Sequence, residues 1–374
     1  MTNNISSTPL VTIVLGTRPE AIKLAPVIKV FKECQLIKTR VIATGQHKEM
    51  VENVMDLFGI RPDKDLNIMQ NKQSLSEITI RILEGIEDDF SKYFPSLVIV
   101  QGDTTTAFAT SLAAFYKNIP IGHVEAGLRT NNLLEPFPEE ANRRLISQLA
   151  QVHFAPSSKA VSNLKEAGVL GEIYLTGNTV IDSLMMISGS SQDLSLLEGV
   201  DLLASKIILV TVHRRENWGI NLENICNGLI KLIEKHPDLK IILPMHLNPI
   251  VRKPLIDILG GIPSIILTEP LEYNYLISIL KKCLIVLTDS GGLQEEAPSL
   301  SKPVLVLRDY TERLEAVEAG TARLIGTNSE DVFRETDKLL CNEEAYGLMA
   351  KAINPYGDGT ASQKILEACI KYLK

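Results

Sequence analysis

Short, nearly uninterrupted apolar runs limit what this chain can fold into. Residues 10–15, 97–100, 206–212 and 284–287 are each apolar almost throughout, and each leads into a polar or glycine-bearing turn and then a helix-like segment. Strands of this kind are buried on both faces, as in parallel sheets sandwiched by helices. Weaker runs at 39–44, 120–124, 152–154 and 173–175 extend the first series, and those at 240–243, 264–267 and 303–307 extend the second. Between them, helical periodicity is expected near 20–32, 50–58, 75–93, 139–149, 222–235, 249–259, 273–281 and 329–340. A length of 374 residues suits two such domains. The linker is placed around 188–205, where Ser-Gly-Ser-Ser interrupts the periodicity. The fold class is therefore α/β, with two Rossmann-like doubly wound domains, 1–187 and 188–361.

Composition removes several function classes. A net charge of -7 argues against a nucleic-acid partner. No apolar run reaches membrane-spanning length, and the polar stretch 1–9 lacks the regions of a signal peptide. Five scattered cysteines, never as Cys-x-x-Cys, read as reduced thiols of a cytoplasmic protein. There is no Gly-x-Gly-x-x-Gly, no Gly-Lys of a phosphate loop, and no paired metal-ligand spacing. Chemistry on protein side chains, with no cofactor and no metal, is the expectation.

In open α/β sheets, ligands bind beyond the C-terminal strand ends. The polar residues that stand out lie there in both halves, which places the site in a central cleft faced by the two domains. Thr288-Asp289-Ser290-Gly291-Gly292 links a strand to a helix expected over 293–299, leaving backbone N–H groups for a phosphate. Glu296 follows one turn later, suited to sugar hydroxyls. Arg18 and Lys23 sit at the mouth of the first strand–helix unit. Asp103, Glu125, Glu139 and His213 form the chemical set, since clustered carboxylates can be driven to different pKa values and so serve as acid and base. Structural roles compete for some of them: Asp103 could cap the threonine-rich helix that follows, and Glu139 could merely open the next one. His213 beside Arg214 and Arg215 fits a diphosphate better than a metal. His123 is expected to be a partly buried structural histidine, and His153 and His236 carry no signal.

With these residues assembled, the chain resembles the non-hydrolysing UDP-N-acetylglucosamine 2-epimerases of bacteria and archaea. The matching stretches include Gly16-Thr17-Arg18-Pro19-Glu20, Gly102-Asp103-Thr104-Thr105-Thr106, Gly122-His123-Val124-Glu125-Ala126-Gly127, Pro138-Glu139-Glu140, His213-Arg214-Arg215-Glu216-Asn217, His246-Leu247-Asn248-Pro249, Ser290-Gly291-Gly292 and Thr311-Glu312-Arg313. They run in order across almost the whole chain. The resemblance implies a fold like that of B-type glycosyltransferases, usually a homodimer, with a last helix at 362–374 returning to the first domain. It implies interconversion of UDP-N-acetylglucosamine and UDP-N-acetylmannosamine by anti elimination of UDP to a 2-acetamidoglucal and re-addition, without a cofactor.

On that resemblance Asp103, Glu125 and Glu139 are the essential acids, and His213 assists the departing diphosphate. Arg18, Lys23, Arg143, His246, Ser290, Gly291, Gly292, Glu296 and Arg313 bind the nucleotide sugar, with Leu271 and Leu276 against the uracil. Gln46 and His47 match a second, regulatory UDP-N-acetylglucosamine site of some members, but Glu49 and Lys72 replace its Gln and Arg. An Arg-to-Lys change loses the bidentate fork, so weak or absent substrate activation is expected. Leu314 after Arg313, where proline is usual, and Tyr310 also depart from the pattern. The rivals are a hydrolysing 2-epimerase, an epimerase of diacetamido uronic acid nucleotides, and a B-type glycosyltransferase or nucleotide-sugar binding protein.

Overall fold

The computed structural model describes residues 8–46, 48–70, 73–130, 132–189 and 206–374. The chain divides into two units, Met1–Ser183 with Tyr356–Lys374, and Leu184–Pro355. Each unit is one parallel sheet wrapped by helices, the doubly wound α/β class that the apolar runs dictate. No helix among the described residues is long and apolar enough to cross a membrane.

The first unit holds strands β1 Leu10–Leu15, β2 Lys38–Ala43, β3 Lys64–Asp65, β4 Leu97–Gln101, β5 Ile121–Val124, β6 Val152–Ala155 and β7 Glu172–Leu175. Their order is β3-β2-β1-β4-β5-β6-β7. Because β1 is paired with both β2 and β4, winding reverses between β1 and β4, and their outgoing loops part there. On one face Val14, Ile42, Val98 and Val100 pack with Ile82, Ile86 and Phe90 of the helix Leu75–Tyr93 and with the alanines of Thr105–Tyr116. The helix Arg18–Glu33 packs on the same strands but outside that cluster, so it covers the other face, with Ala361–Tyr372 lying on it.

The second unit holds β8 Lys206–Thr211, β9 Leu239–Pro244, β10 Ile265–Thr268, β11 Ile285–Thr288, β12 Val304–Val306 and β13 Ala322–Leu324. Its order, β10-β9-β8-β11-β12-β13, repeats that of the first six strands, and the reversal falls between β8 and β11. Ile208, Val210, Leu287 and Leu305 pack against Leu222, Leu229 and Leu232 of the helix Ile220–Lys235 and against Val332 and Leu339 of Ser329–Cys341.

Several expectations need correction. β3 and β13 are too short and polar to leave an apolar run, and the helices Ser158–Glu166, Thr179–Ser188, Leu314–Glu318 and Glu343–Ala350 were not anticipated. The division between units falls inside Thr179–Ser188 rather than in a linker, and residues 190–205, where most of that linker was placed, lie outside the described residues. Residues 356–361, expected in the second domain, belong to the first. There the backbone N–H of Asn178 donates to the Tyr356 carbonyl at 2.7 Å, and buried Asp182 accepts from the N–H groups of Ala361 and Ser362 at 3.2 and 2.7 Å. A carboxylate on those two N–H groups satisfies donors that the helix Ala361–Tyr372 cannot satisfy itself.

The first strand–helix turn shows why its sequence is Gly-Thr-Arg-Pro-Glu. Pro19 falls in the opening turn of the helix, where a missing N–H costs nothing. Glu20 is buried and accepts from the N–H groups of Gly16 and Thr17 at 3.0 and 2.7 Å and from the Thr104 hydroxyl at 2.8 Å. It thus ties the loop after β1 to the loop after β4. A Cβ on Gly16 would lie 2.2 Å from Thr106 Oγ1 and 2.3 Å from Thr44 Oγ1, so any larger residue must displace these two hydrogen-bonded threonine side chains.

Burial pushes the Glu20 carboxyl up to about 7, against hydrogen bonds that favour its charged form. The unfolded chain releases this proton near an ordinary glutamate value of about 4.3. Between the two values the folded state holds more protons, so this group's contribution to stability falls as pH rises. Glu20→Gln cannot titrate. Urea midpoints of the wild type are therefore expected to fall more steeply than those of E20Q between about pH 5 and 7; parallel profiles would show that Glu20 stays ionised.

Candidate active site

Three loops of the first unit leave adjacent strands β1, β4 and β5. The β4 loop turns through Gly102, at φ 69°, into half-buried Asp103. Thr104, not Asp103, caps the following helix, accepting from the Ala107 N–H at 3.0 Å. Relieved of that role, Asp103 is held from its far side. Its backbone carbonyl accepts from Asn142 Nδ2 at 2.9 Å, and its carboxylate pairs with Arg143. Both partners lie in the first turns of the helix Glu139–Leu149. Burial raises the Asp103 carboxyl; Arg143 opposes that rise, the Glu125 charge adds to it, and Lys23 opposes it.

Glu125 follows β5 with φ 61°, a left-handed conformation that costs a non-glycine residue on the order of 1–3 kcal/mol. The strain turns its carboxylate onto Lys23, Gln101 Nε2 and, at 3.1 Å, Asn178 Nδ2. Glu125 is thereby a clamped anion. Glu139 opens its helix half-buried and makes no hydrogen bond or ion pair with a described residue. Its neighbour Glu140 is fully buried and occupied, accepting from the Thr130 N–H at 3.0 Å and from Arg144 Nε at 2.6 Å. These contacts bring Lys23, Asp103, Glu125 and Arg143 into one electrostatic cluster. Arg18, half-buried, begins the helix that carries Lys23. Gln46 is placed by the Thr106 hydroxyl, which donates to Oε1 at 2.9 Å. His47 and Lys72 lie outside the described residues. His123 is wholly rather than partly buried: its Nε2 lies 2.7 Å from the Gly102 carbonyl, and burial lowers its pKa to about 3, leaving the ring neutral.

In the second unit the organising group is Asp289, at the end of β11 and fully buried. Its Oδ2 accepts from the N–H groups of His213 and Arg214, both at 2.8 Å, and from Asn217 Nδ2 at 3.0 Å. Its Oδ1 lies 3.0 Å from His213 Nδ1. Burial alone would raise this carboxyl; the His213 ring and the backbone donors more than offset it and hold the group below the ordinary range. An anion against Nδ1 fixes the ring and favours the tautomer that leaves Nε2 as the outward acceptor. His246 is exposed and stacks on His213, with centroids 6.0 Å apart and planes at 21°.

Ser290 caps a helix running Gly291–Glu296, which tightens into a 3-10 turn at Ala297–Leu300 instead of continuing regularly over 293–299. Pro298 has no N–H to continue the ladder. Glu296 is buried and accepts from the Tyr273 hydroxyl at 2.7 Å. Arg313 pairs with buried Glu295 and stands 3.9 Å from Glu312. Burial would raise Glu312, but Arg313, Arg308 and Arg214 hold it down to about 2. Leu271 and Leu276 are half-buried at the start of the helix Tyr273–Lys282.

Sequence reasoning missed Glu20 as the tie between loops, Asn142, Gln101 and Asn178 as holders of Asp103 and Glu125, and above all Asp289. Asp289 had the signal shared by the chosen residues, a polar side chain at a β-strand's C-terminal end.

Two doubly wound units, one with acids and cations gathered at its reversal point and one with an anchored histidine beside a Ser-Gly-Gly turn, define an α/β enzyme of the B-type glycosyltransferase-like class. The family model described as UDP-N-acetylglucosamine 2-epimerase matches residues 29–370. UDP-N-acetylglucosamine 2-epimerase of Escherichia coli strain K12 is 49% identical over 364 residues, 95% of this chain and 96% of that one. The crystal structure of UDP-GlcNAc 2-epimerase from Neisseria meningitidis bound to UDP-GlcNAc superposes with a TM-score of 0.89 at 47% identity, covering 97% of this chain and 100% of that one. The enzyme from Methanocaldococcus jannaschii in complex with UDP-GlcNAc and UDP gives 0.77 at 33% identity, covering 97% and 99%. The chain belongs to the UDP-N-acetylglucosamine 2-epimerase family.

Proposed function

We propose that this protein interconverts UDP-N-acetylglucosamine and UDP-N-acetylmannosamine without hydrolysis. The C2 proton of the sugar is poorly acidic, so its loss is coupled to departure of the group at C1. A carboxylate takes the proton, the C–H electrons form the C1=C2 double bond, and the C1–O pair leaves on the β-phosphate of UDP. Protonation of the 2-acetamidoglucal at the other face of C2, with return of the phosphate oxygen to C1, gives the epimer. Two proton-transfer groups are required, one for each face. The observation that carries the reading is the division of labour among the acids. Glu125 is clamped by Lys23 and amides, Asp103 is raised by burial beside Arg143, and Glu139 is uncommitted. Asp103 and Glu139 are the proton carriers in this proposal. Glu125 fixes the local charge, as expected when clustered acids differ in environment.

The second unit holds UDP. Ser290 to Gly292 present backbone N–H groups to the diphosphate, Arg313 adds charge, Glu296 receives ribose hydroxyls, and Leu271 and Leu276 pack the uracil. His213 donates to the departing diphosphate once protonated, with Asp289 supporting the imidazolium. Arg18, Lys23, Arg143 and His246 complete substrate binding. The protein acts in the cytoplasm as a homodimer, supplying UDP-N-acetylmannosamine for cell-surface polysaccharide synthesis.

Incubation with UDP-N-acetylglucosamine in heavy water tests the reading. UDP-N-acetylmannosamine carrying deuterium at C2 is expected by NMR and mass spectrometry. Free N-acetylmannosamine would assign a hydrolysing epimerase, and recovery of undeuterated substrate a binding protein or transferase. With Glu49 and Lys72 in the regulatory positions, UDP-N-acetylmannosamine alone should give a hyperbolic rate curve. A sigmoid relieved by a trace of UDP-N-acetylglucosamine would show the regulatory site intact.

A further inference from the structure

We propose that the second unit carries a surface site for a borderline divalent cation, best matched by Zn²⁺, formed by His236, Asp337 and Cys341. One ligand atom from each lies within 4.8 Å of the others. His236 Nε2 is 2.8 Å from Asp337 Oδ1, and Cys341 Sγ is 3.6 Å from the same oxygen. More than a hundred positions separate the histidine from the cysteine, so no spacing motif announces the trio.

The scaffold is rigid. His236 closes the helix Ile220–Lys235, its N–H bonded to the Leu232 carbonyl at 2.8 Å, while Asp337 and Cys341 lie one turn apart at the end of Ser329–Cys341. The two helices approach closely at Gly228, where a Cβ would lie 2.8 Å from Val332 Cβ. Both helices end at the trio, so their unpaired terminal carbonyls favour a cation there. Imidazole, carboxylate and thiolate, with a fourth position open to water, suit tetrahedral Zn²⁺; Mg²⁺ and Ca²⁺ take oxygen ligands.

A cation already occupies part of the place. Lys235 Nζ lies 2.8 and 2.9 Å from the two Asp337 oxygens. Metal binding displaces this ammonium from Asp337 and releases the Cys341 thiol proton to solvent. The affinity is thus set by competition with Lys235. The site lies where β9 begins, at the strand-start edge of the sheet, while His213 and Ser290 lie at the strand-end edge.

The test uses untagged, metal-stripped protein titrated with Co²⁺. A stoichiometric near-ultraviolet thiolate-to-cobalt charge-transfer band is expected, displaced by Zn²⁺ and absent in Cys341→Ser and His236→Gln. Lys235→Met should bind Co²⁺ about fivefold more tightly, the loss of one exposed ion pair. Absence of the band, its persistence in C341S, or weaker binding by K235M would overturn the proposal. Melting curves and unchanged epimerase rates verify that the variants fold.

Discussion

Asp103→Asn is expected to lower the epimerisation rate by about 10² to 10⁴, the usual worth of one positioned proton carrier, and to slow deuterium entry at C2 in proportion. Asparagine keeps the size of the side chain and can still accept from Arg143, so the helix Glu139–Leu149 stays docked through Asn142 and the Asp103 carbonyl. Only the capacity to carry a proton goes. Substrate affinity, read by calorimetry with UDP-N-acetylglucosamine, should change little. A variant that still exchanges the C2 proton at the wild-type rate would remove Asp103 from the proton path and leave Glu139 with both faces. The raised Asp103 carboxyl adds a pH signature: loss of rate on acidification sets in at a higher pH than an unperturbed aspartate would give.

The second large effect is expected at Asp289. In Asp289→Asn the amide oxygen stays with the N–H groups of His213, Arg214 and Asn217, since an NH₂ there would face three donors. The NH₂ then points at His213 Nδ1, which must accept, and the ring proton moves to Nε2. The imidazolium also loses its counter-charge. A loss of about 10² in kcat, the lower end for a general acid put out of action, is expected with little change in KM. In an Asp289→Asn/His213→Ala double variant the losses should not add, because both act through one ring. Additive losses would assign Asp289 to holding the loop alone.

Much of this was legible beforehand for a physical reason. A strand buried on both faces is apolar almost throughout, and β1, β4, β8 and β11 are, broken only by Thr12 inside β1 and by polar residues at the ends of the other three. Those strands flank the reversal points, so the strongest strand signals and the site coincide. Strands at the sheet margins are short, and β3 reads only Lys-Asp, so nothing marked it. Asp103 and His213 could be chosen because each follows such a strand, and Glu125 because it ends the weaker run at 120–124. Their partners could not. Asp289 meets His213 across 76 positions, and Arg143 meets Asp103 across 40. Such pairings depend on register and rotamer, which one chain read alone does not reveal. The left-handed backbone of Glu125 was equally hidden, because glutamate gives no hint of positive φ.

Asp182 and the helix it holds impose an order on biogenesis. The ribosome must translate the whole of Leu184–Pro355 before residues 356–372 emerge, about ten seconds or more at ~5–20 residues per second. Through that interval the nascent first unit has an acid with no N–H donors to meet and an uncovered apolar flank on the helix Arg18–Glu33. The later-made unit, contiguous in the chain, can mature ahead of the earlier one. A ribosome stalled before residue 356 would therefore hold a first unit whose helix Arg18–Glu33 lacks the cover that Ala361–Tyr372 gives it.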